Sequence, residues 1–294
     1  MSNKIEFVIS RPQDILYHYC SMESLYGIIS SGNIWLSNSD YSNDPNENKI
    51  AKNLLEEIAK NSSNKNIKKF ASLVLSDKVE IITNMAAYVF CLSEKNDDLN
   101  QWRIYGDNGY GAMFGLKTNT DFFSCHRLWN ILNDEKACPT LEKIYFDKCI
   151  YDSNEQKKIV EFFLSMFSLV AKENEKVAIF NFKIFFKLIS SFFKHESYKD
   201  ENEWRLVCLP VTQSQHNTVK YEVKYRTTRG LIVSYIEINY SINAKFKNMP
   251  FSVILIGSNA YNTQKEIMDF VSSKGHLCER LSKSEIKIRE YKKI

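Results

Sequence analysis

The sequence lacks the features that define several large classes of protein. No uninterrupted run of about 20 apolar residues is present, since charged residues interrupt even the most apolar stretch, 160–193, so we expect no membrane span. The N-terminal residues contain no long apolar segment, which argues against a signal peptide. The formal net charge of +4 is well short of the strong basic bias of a dedicated nucleic-acid-binding protein.

Metal and redox motifs are also missing. The histidines at positions 126, 195, 216 and 276 have no metal-ligand spacing, so we predict no metal site. The seven cysteines include no C-x-x-C pair, which excludes a zinc knuckle and a redox motif. Those cysteines are Cys20, Cys91, Cys125, Cys138, Cys149, Cys208 and Cys278. Several lie in apolar segments, so we expect buried free thiols and a reducing, cytoplasmic location.

Familiar catalytic signatures are absent as well. The chain contains no G-x-S-x-G, no Walker A sequence and no H-E-x-x-H. Glycines 106, 109 and 111 form a cluster, but their spacing is not that of G-x-G-x-x-G, and they are a weak indication of a phosphate loop. Any chemistry must therefore come from polar residues that are scattered along the chain.

What is present is the composition of a globular protein, with 294 residues, 44% of them hydrophobic and 25% charged. Hydrophobic periodicity predicts strands and helices in mixed order. The predicted strands cover residues 15–19, 34–36, 88–93, 112–117, 203–211, 219–225, 231–238, 252–256 and 286–291. One predicted helix follows Ser21, a second begins at Pro45, and a third ends near Ser76. Further helices are predicted at 99–105, in a hairpin at 155–195, and at 263–273. This order is not a regular βαβ series, so we predict an α+β fold.

The helical hairpin at 155–195 is unusually rich in phenylalanine. Phe182 and Phe186 lie on a different helical face from Phe180. We therefore expect some apolar surface to remain exposed, which would serve self-association or an antidote or partner protein. The alternative is a hairpin that the rest of the chain buries on both sides.

The first candidate site residue is His18, in the predicted strand Tyr17-His18-Tyr19. A single histidine at such a position is most often a half-buried strand residue with a satisfied hydrogen bond. Its imidazole is also well suited to bind a ribose hydroxyl. Asn43 and Asp44, followed by Pro45, are typical of a turn before a helix, and they are alternatively the rim of a pocket.

The central part of the chain supplies a second group of candidates. Ser93 ends a predicted strand, where a plain strand exit is the simplest interpretation. Trp102 and Tyr105 lie on one helical face, and core packing is the alternative to ligand stacking for Trp102.

Glu201 and Glu203 are the most informative pair. If the segment is extended, both carboxylates lie on the same side, since strand side chains alternate. The simple interpretation is a solvated strand entry in which Arg205, on the same face, forms an ion pair. The functional interpretation is a carboxylate that stabilises the positive charge developing at an anomeric carbon while an N-glycosidic bond breaks.

These segments together resemble a known family. The chain is similar to the bacterial domain-of-unknown-function family 2971 in the following motifs: Leu16-Tyr17-His18-Tyr19, Asn43-Asp44-Pro45-Asn46-Glu47, Cys91-Leu92-Ser93, Trp102-Arg103-Ile104-Tyr105 and Glu201-Asn202-Glu203-Trp204-Arg205. That family in turn is distantly similar to the ADP-ribosyltransferase superfamily. The resemblance implies one domain over residues 1–294, with antiparallel sheets split around a cleft, flanking helices and the hairpin as an insertion.

The resemblance also implies roles for the candidate residues. Glu203 would be catalytic with Glu201 as its helper, and NAD would be the substrate. The cofactor-binding set would be His18 on the ribose, Ser93 at the nicotinamide site, Tyr105 or Tyr110 stacked on nicotinamide, and also Tyr19, Trp102, Asn43 and Asp44.

The expected function is an NAD-dependent ADP-ribosyltransferase or NAD glycohydrolase, as a bacterial anti-phage defence effector or toxin. The ADP-ribose acceptor, a protein or a nucleic acid, stays open. The alternative is a non-catalytic nucleotide- or nucleic-acid-binding sensor or interaction module of a defence system.

Overall fold

The computed structural model describes residues 10–42, 47–76, 86–120, 123, 127, 141–210, 220–228, 230–239 and 249–288. The strands are β1 (Ile15–Cys20), β2 (Asn33–Asn38), β3 (Tyr88–Ser93), β4 (Ala112–Lys117), β5 (Ile144–Lys148), β6 (Glu203–Cys208), β7 (Val223–Thr228), β8 (Leu231–Asn239), β9 (Pro250–Ile256), β10 (Leu277–Cys278) and β11 (Leu281–Lys283). The α-helices are α1 (Met22–Ser31), α2 (Glu47–Asn61), α3 (Lys65–Ser76), α4 (Leu99–Ile104), α5 (Ser153–Val170), α6 (Glu175–Ser190) and α7 (Gln264–Ser273). The mixed order confirms the α+β class.

Local chemistry explains why several of these helices begin and end where they do. The Ser21 side chain accepts from the amide of Ser24 and caps α1, which ends at Gly32 in the left-handed conformation (φ +66°). Thr263 and Glu266 form a reciprocal capping box at the start of α7.

The strands of the described residues form one sheet, in which β3 is the branch point. One edge of β3 pairs with β6 along its whole length, from Tyr88↔Cys208 to Ser93↔Glu203. The other edge is shared, since β1 pairs with it at Tyr17↔Ser93 and β2 pairs with it at Ser37↔Val89 and Asn38↔Tyr88. β1 and β2 therefore diverge beside Cys91, and the sheet opens there.

This topology corrects the prediction of two separate split sheets. The order β10-β9-β4-β1-β3-β2-β8-β7, with β5 and β6 added at β3 and β11 beside β9, is continuous. Antiparallel pairs dominate, but β10 and β11 run parallel to β9. The predicted strand at 286–291 is wrong for residues 286–288, which form no strand, and residues 289–291 lie outside the described part.

Two helical layers cover the sheet. On one face, α2, α3, α5 and α6 pack over Val89, Tyr145 and Val207. On the opposite face, α1 and α7 pack over Phe90 and Leu206. Among the described helices, none is long and apolar enough to span a bilayer.

The hairpin is confirmed as α5 and α6, but the expected exposure of Phe182 is wrong. Phe182 is fully buried, with edge-on contacts to Phe70 of α3 and Phe167 of α5 (centroids 5.6 and 5.8 Å apart). Phe186 is partly buried and stacks on Phe182. The reason is that α2 and α3 cover the side of the hairpin that the sequence left without a partner. The exposed apolar residues lie around the turn instead, at Leu169, Val170, Val177 and Phe180.

The cysteines of the described segments are free thiols, as predicted. Cys20, Cys149 and Cys208 are buried, and Cys91 and Cys278 are partly buried. Cys125 and Cys138 lie outside the described residues.

Candidate functional site

A pocket lies where β1 and β3 separate, and it encloses ≈ 330 Å³ of empty space including its opening to solvent. The enclosed cavity itself is only ≈ 50 Å³, well below the range of about 300–1,000 Å³ for sites that enclose a whole ligand, so the pocket holds one part of a larger ligand. The pocket wall includes six of the predicted site residues, namely His18, Tyr19, Ser93, Tyr105, Glu201 and Glu203. Two carboxylates, an imidazole and tyrosines from distant parts of the chain therefore line one concave surface.

His18 bridges the opening in the sheet. Its Nδ1 lies 2.7 Å from the carbonyl oxygen of Cys91, on the part of the β3 edge that neither β1 nor β2 pairs with. The ring stacks on Phe90 with a centroid distance of 4.2 Å. Burial lowers the pKa of His18 to about 4, so the ring is neutral at neutral pH. Since a carbonyl only accepts, Nδ1 carries the proton, and Nε2 keeps a lone pair that can accept a hydrogen bond from a ligand.

The hydroxyls of Tyr19 and Ser93 already have protein partners. The Tyr19 hydroxyl donates to the carbonyl oxygen of Lys95 and accepts from the amide of Asp98, both at 2.9 Å. Ser93 Oγ donates to the carbonyl oxygen of Glu201 at 2.7 Å and accepts from the amide of Lys95. These two side chains therefore hold the walls of the pocket in place.

The backbone between the two glutamates is not extended, which corrects one premise of the sequence argument. Glu201 ends a 3₁₀ helix (Glu196–Glu201), and Asn202 is left-handed with φ 45° and ψ 51°. Asparagine tolerates this conformation better than most residues. The turn still brings both carboxylates to the same place, where they share one buried cation.

That cation is Lys194, which the sequence analysis did not identify. Lys194 is 1% exposed, and its Nζ donates to Glu201 Oε2 and to Glu203 Oε2, the latter at 2.6 Å. The chain positions it with backbone hydrogen bonds, since the amide of Lys194 donates to the carbonyl oxygen of Ile150 and its own carbonyl accepts from Gln156 Nε2. The segment that follows α6 thus places Lys194 against the two glutamates that line the pocket.

Arg205 completes the cluster from β6. Its Nε donates to Glu203 Oε1 at 2.7 Å, and its Nη1 donates to the carbonyl oxygen of Ser191. The ion pair between Arg205 and Glu203 was expected as the simple interpretation, but the expected solvation is wrong. Arg205 is 2% exposed and Glu203 is 5% exposed, because the helical layer covers the start of β6. We name Lys194, Glu201, Glu203 and Arg205 the paired cluster.

The two carboxyls of the paired cluster have opposite pKa shifts. Burial alone would raise the pKa of Glu203, but Arg205 and Lys194 outweigh it and hold that pKa well below its usual range. Burial raises the pKa of Glu201, and Lys194 offsets this only in part. The Tyr105 hydroxyl donates to Glu201 Oε1 at 2.9 Å. Glu203 is therefore a permanent anion between two cations, whereas Glu201 holds a proton more readily.

Two of the predicted cofactor-binding residues, Trp102 and Tyr110, lie away from the pocket, and two others are outside the described part of the chain. Trp102 is fully buried in the core, where its Nε1 donates to Asp97 Oδ1 at 2.7 Å, so the core alternative is correct. Tyr110 packs against the exposed Tyr261 and does not line the pocket. Tyr105 is thus the one of the two stacking candidates that reaches it. Asn43 and Asp44 lie outside the described residues.

The family described as "Protein of unknown function (DUF2971)" matches residues 101–206 of this chain. No curated protein and no solved structure shows a significant match. The matching segment begins inside α4 and ends inside β6, so it contains Tyr105 and the whole paired cluster. The chain is therefore similar to that family over the segment that supplies the charged wall of the pocket.

Proposed function

We propose that the pocket binds NAD and that the protein is an ADP-ribosyltransferase or NAD glycohydrolase. One observation carries this proposal: His18 on β1 and the Glu201/Glu203 pair at β6 line a single pocket. Cleavage of the bond between ribose and nicotinamide needs little beyond an oriented ribose and a nearby carboxylate, because nicotinamide is a good leaving group. A setting in anti-phage defence or as a toxin is part of this proposal.

In this proposal the residues have separate roles. His18 Nε2 accepts a hydrogen bond from a ribose hydroxyl, and the neutral ring costs no desolvation of charge. The N-glycosidic bond breaks with its electron pair going to the nicotinamide nitrogen, and the carboxylates stabilise the oxocarbenium ion. Water or an acceptor side chain or base then attacks the anomeric carbon and loses a proton. Tyr105 packs beside nicotinamide while its hydroxyl positions Glu201.

The test is NAD consumption by the full chain with two isosteric variants, Glu203→Gln and Glu201→Gln. We expect the variant that removes the reacting carboxylate to lose about 3–4 kcal/mol of transition-state stabilisation, a factor of hundreds in turnover. Glu279→Gln is the matched control, since Glu279 is an exposed carboxylate paired with Lys117 outside the pocket. Unfolding by urea is measured in parallel, because Glu203 also balances two buried cations. Turnover that neither variant reduces would reject the proposed role of the pair.

A second candidate function is binding of a nucleotide or nucleic acid without catalysis. The observation that favours it is the charge balance of the paired cluster, in which two cations offset two carboxylates and weaken the field that would stabilise an oxocarbenium ion. NAD binding measured by calorimetry, with no release of nicotinamide over a long incubation, would favour this function over the first.

A further inference from the structure

A partly buried cation, Arg226 on β7, has no carboxylate partner among the described residues. Its guanidinium lies beside the paired rings of Trp35 and Tyr235, 5.3 and 5.8 Å from their centroids, which are 4.9 Å from each other. Nη2 donates to Ser37 Oγ at 2.8 Å, and Nη1 lies 3.4 Å from Ser24 Oγ. Arg226 is thus surrounded by aromatic rings and hydroxyls, while each cation of the paired cluster has carboxylates.

Two hydrogen-bond donors at this place have no acceptor among the described residues. Arg226 Nε and Trp35 Nε1 are both buried, and neither has a hydrogen-bond partner in the described structure. A buried donor without a partner costs about 1–3 kcal/mol, and more when it is charged. Burial lowers the pKa of Arg226, and the groups that act against this are a tyrosine and a cysteine, with no carboxylate among them. Such a set of donors is complete only when an anion is bound.

The strand register places Arg226 on the same face of the sheet as Ser93 of the pocket wall, whereas the His18 ring, which stacks on Phe90, reaches the pocket from the opposite face through the opening between β1 and β2. Residues directly opposite each other in antiparallel strands point to the same side, as do residues two apart in one strand. Arg226 is two residues from Lys224, which pairs with Tyr235, and Tyr235 pairs with Ser37. Ser37 in turn pairs with Val89 on β3, four residues from Ser93 on the pocket wall. The same arginine also acts electrostatically on His18.

We propose that Arg226, with the hydroxyls of Ser24 and Ser37, binds the diphosphate of a nucleotide whose other end occupies the pocket at His18. The choice of a nucleotide rests on the proposed function, whereas the anion site itself does not. A planar guanidinium offers two parallel donors to phosphate oxygens, and hydroxyls add further donors without adding charge.

The first experiment measures binding of inorganic pyrophosphate and of ADP-ribose to the full chain by calorimetry. We expect Arg226→Met to weaken both by about tenfold to a hundredfold, the loss of one or two charge-assisted hydrogen bonds. Lys224→Gln is the matched control, since Lys224 lies on the same strand and face but is paired with Glu237 at 2.8 Å. We expect it to bind both probes like the wild type. Ser37→Ala, which removes a neutral partner of Arg226, should weaken both probes to a smaller extent.

Three outcomes would overturn the proposal. If pyrophosphate binds neither the wild type nor the variants, there is no anion site. If Arg226→Met and Lys224→Gln lose the same amount of affinity, the binding reflects general electrostatics and not a specific site. Equal affinity for pyrophosphate and ADP-ribose would show that the protein recognises the diphosphate alone, which rejects a nucleotide as the ligand. The proposed function fails separately: binding through Arg226 without NAD consumption rejects catalysis alone, and NAD consumption by Arg226→Met with an unchanged KM rejects the diphosphate subsite alone.

Discussion

Two groups of cations that are shielded from solvent to different extents lie on this sheet, and they differ in what surrounds them. In the paired cluster, Lys194 and Arg205 contact two carboxylates at hydrogen-bonding distance. At Arg226, the neighbours are Trp35, Tyr235 and serine hydroxyls, and one guanidinium nitrogen has no partner. Lys194 and Arg205 are buried and Arg226 is partly buried, but only the first group neutralises its positive charge within the protein.

This difference separates a structural role from a ligand-binding role. Burying an ion pair costs the free energy of desolvating both charges, and the pair is stabilising only when every charge has a partner. Removing one member therefore strongly destabilises the folded protein. A buried cation without a counter-charge lowers the stability of the free protein, and such a group is retained where a ligand supplies the missing charge. The comparison therefore predicts opposite effects on stability when a cation is removed from each group.

The largest effect is expected for Lys194→Met. This change leaves the carboxylates of Glu201 and Glu203 buried beside each other with one cation fewer, which should reduce the free energy of unfolding by about 3–5 kcal/mol. Urea denaturation at neutral pH measures it. The double variant Lys194→Met/Glu201→Gln should recover part of the loss, because it removes the carboxylate charge that no longer has a cation, while Glu203 keeps Arg205. A single-variant loss below about 1 kcal/mol would show that the cluster is solvated in solution.

A somewhat smaller effect is expected from His18 as the pH falls. The folded pKa of His18 is about 4, against 6.5 for the free side chain, so the unfolded chain binds the proton more readily between these values. The contribution of His18 is therefore fully present above pH 6.5 and is lost as the pH falls through this window. The total is about 3 kcal/mol at most.

The variant His18→Gln separates this contribution from the carboxylates. Glutamine can donate to the Cys91 carbonyl oxygen but does not titrate, so the slope of stability against pH between 6.5 and 4 should flatten. Stability curves for wild type and variant that stay parallel over this range would mean that the ring is not buried as a neutral group.

A loss of about 1 kcal/mol is expected for Tyr105→Phe. The change removes the hydroxyl that donates to Glu201 Oε1, but Lys194 still satisfies the other oxygen of that carboxylate. If Tyr105 positions Glu201 for NAD cleavage, kcat should fall while KM changes little. Tyr19→Phe is a useful comparison, since it loses two hydrogen bonds outside the paired cluster and should lower stability without this kinetic signature.

The parts of the fold that could be predicted from the sequence are those that residues close together in the chain determine. The helix between Ser21 and Gly32 and the apolar strand Tyr88–Ser93 were predicted because caps and apolar runs act within a few residues. The short strands β10 and β11 were missed, since they pair in parallel with β9 and carry little pattern of their own. The continuity of the sheet was missed because it depends on which edges of β3 are occupied.

The site was predictable to a similar degree. His18, Ser93 and Glu203 were identified because polar residues on apolar strands are unusual, and the structure places all three on one pocket wall. Their roles remain predictions. Lys194 follows Phe192 and Phe193 in a lysine-rich segment, so nothing local distinguished it from a surface lysine. Its burial, like that of Arg226, is a consequence of tertiary packing alone.

The smallest effect, and the sharpest test of the comparison, is expected for Arg226→Met. Methionine can fill the space beside Trp35 and Tyr235 and contact both rings without a charge that needs a partner. In the absence of ligand, we therefore expect a change in unfolding free energy within about 0.5 kcal/mol of zero, or a small gain. Arg205→Met is the counterpart in the paired cluster and should cost about 3–5 kcal/mol, because Glu203 then keeps only Lys194. Urea denaturation of the two variants under identical conditions gives the contrast directly. Adding pyrophosphate should stabilise the wild type and Arg205→Met but not Arg226→Met, since ligand binding stabilises only the folded protein that retains the site. Equal destabilisation by the two substitutions would mean that the aromatic rings alone satisfy Arg226, and that its burial is structural.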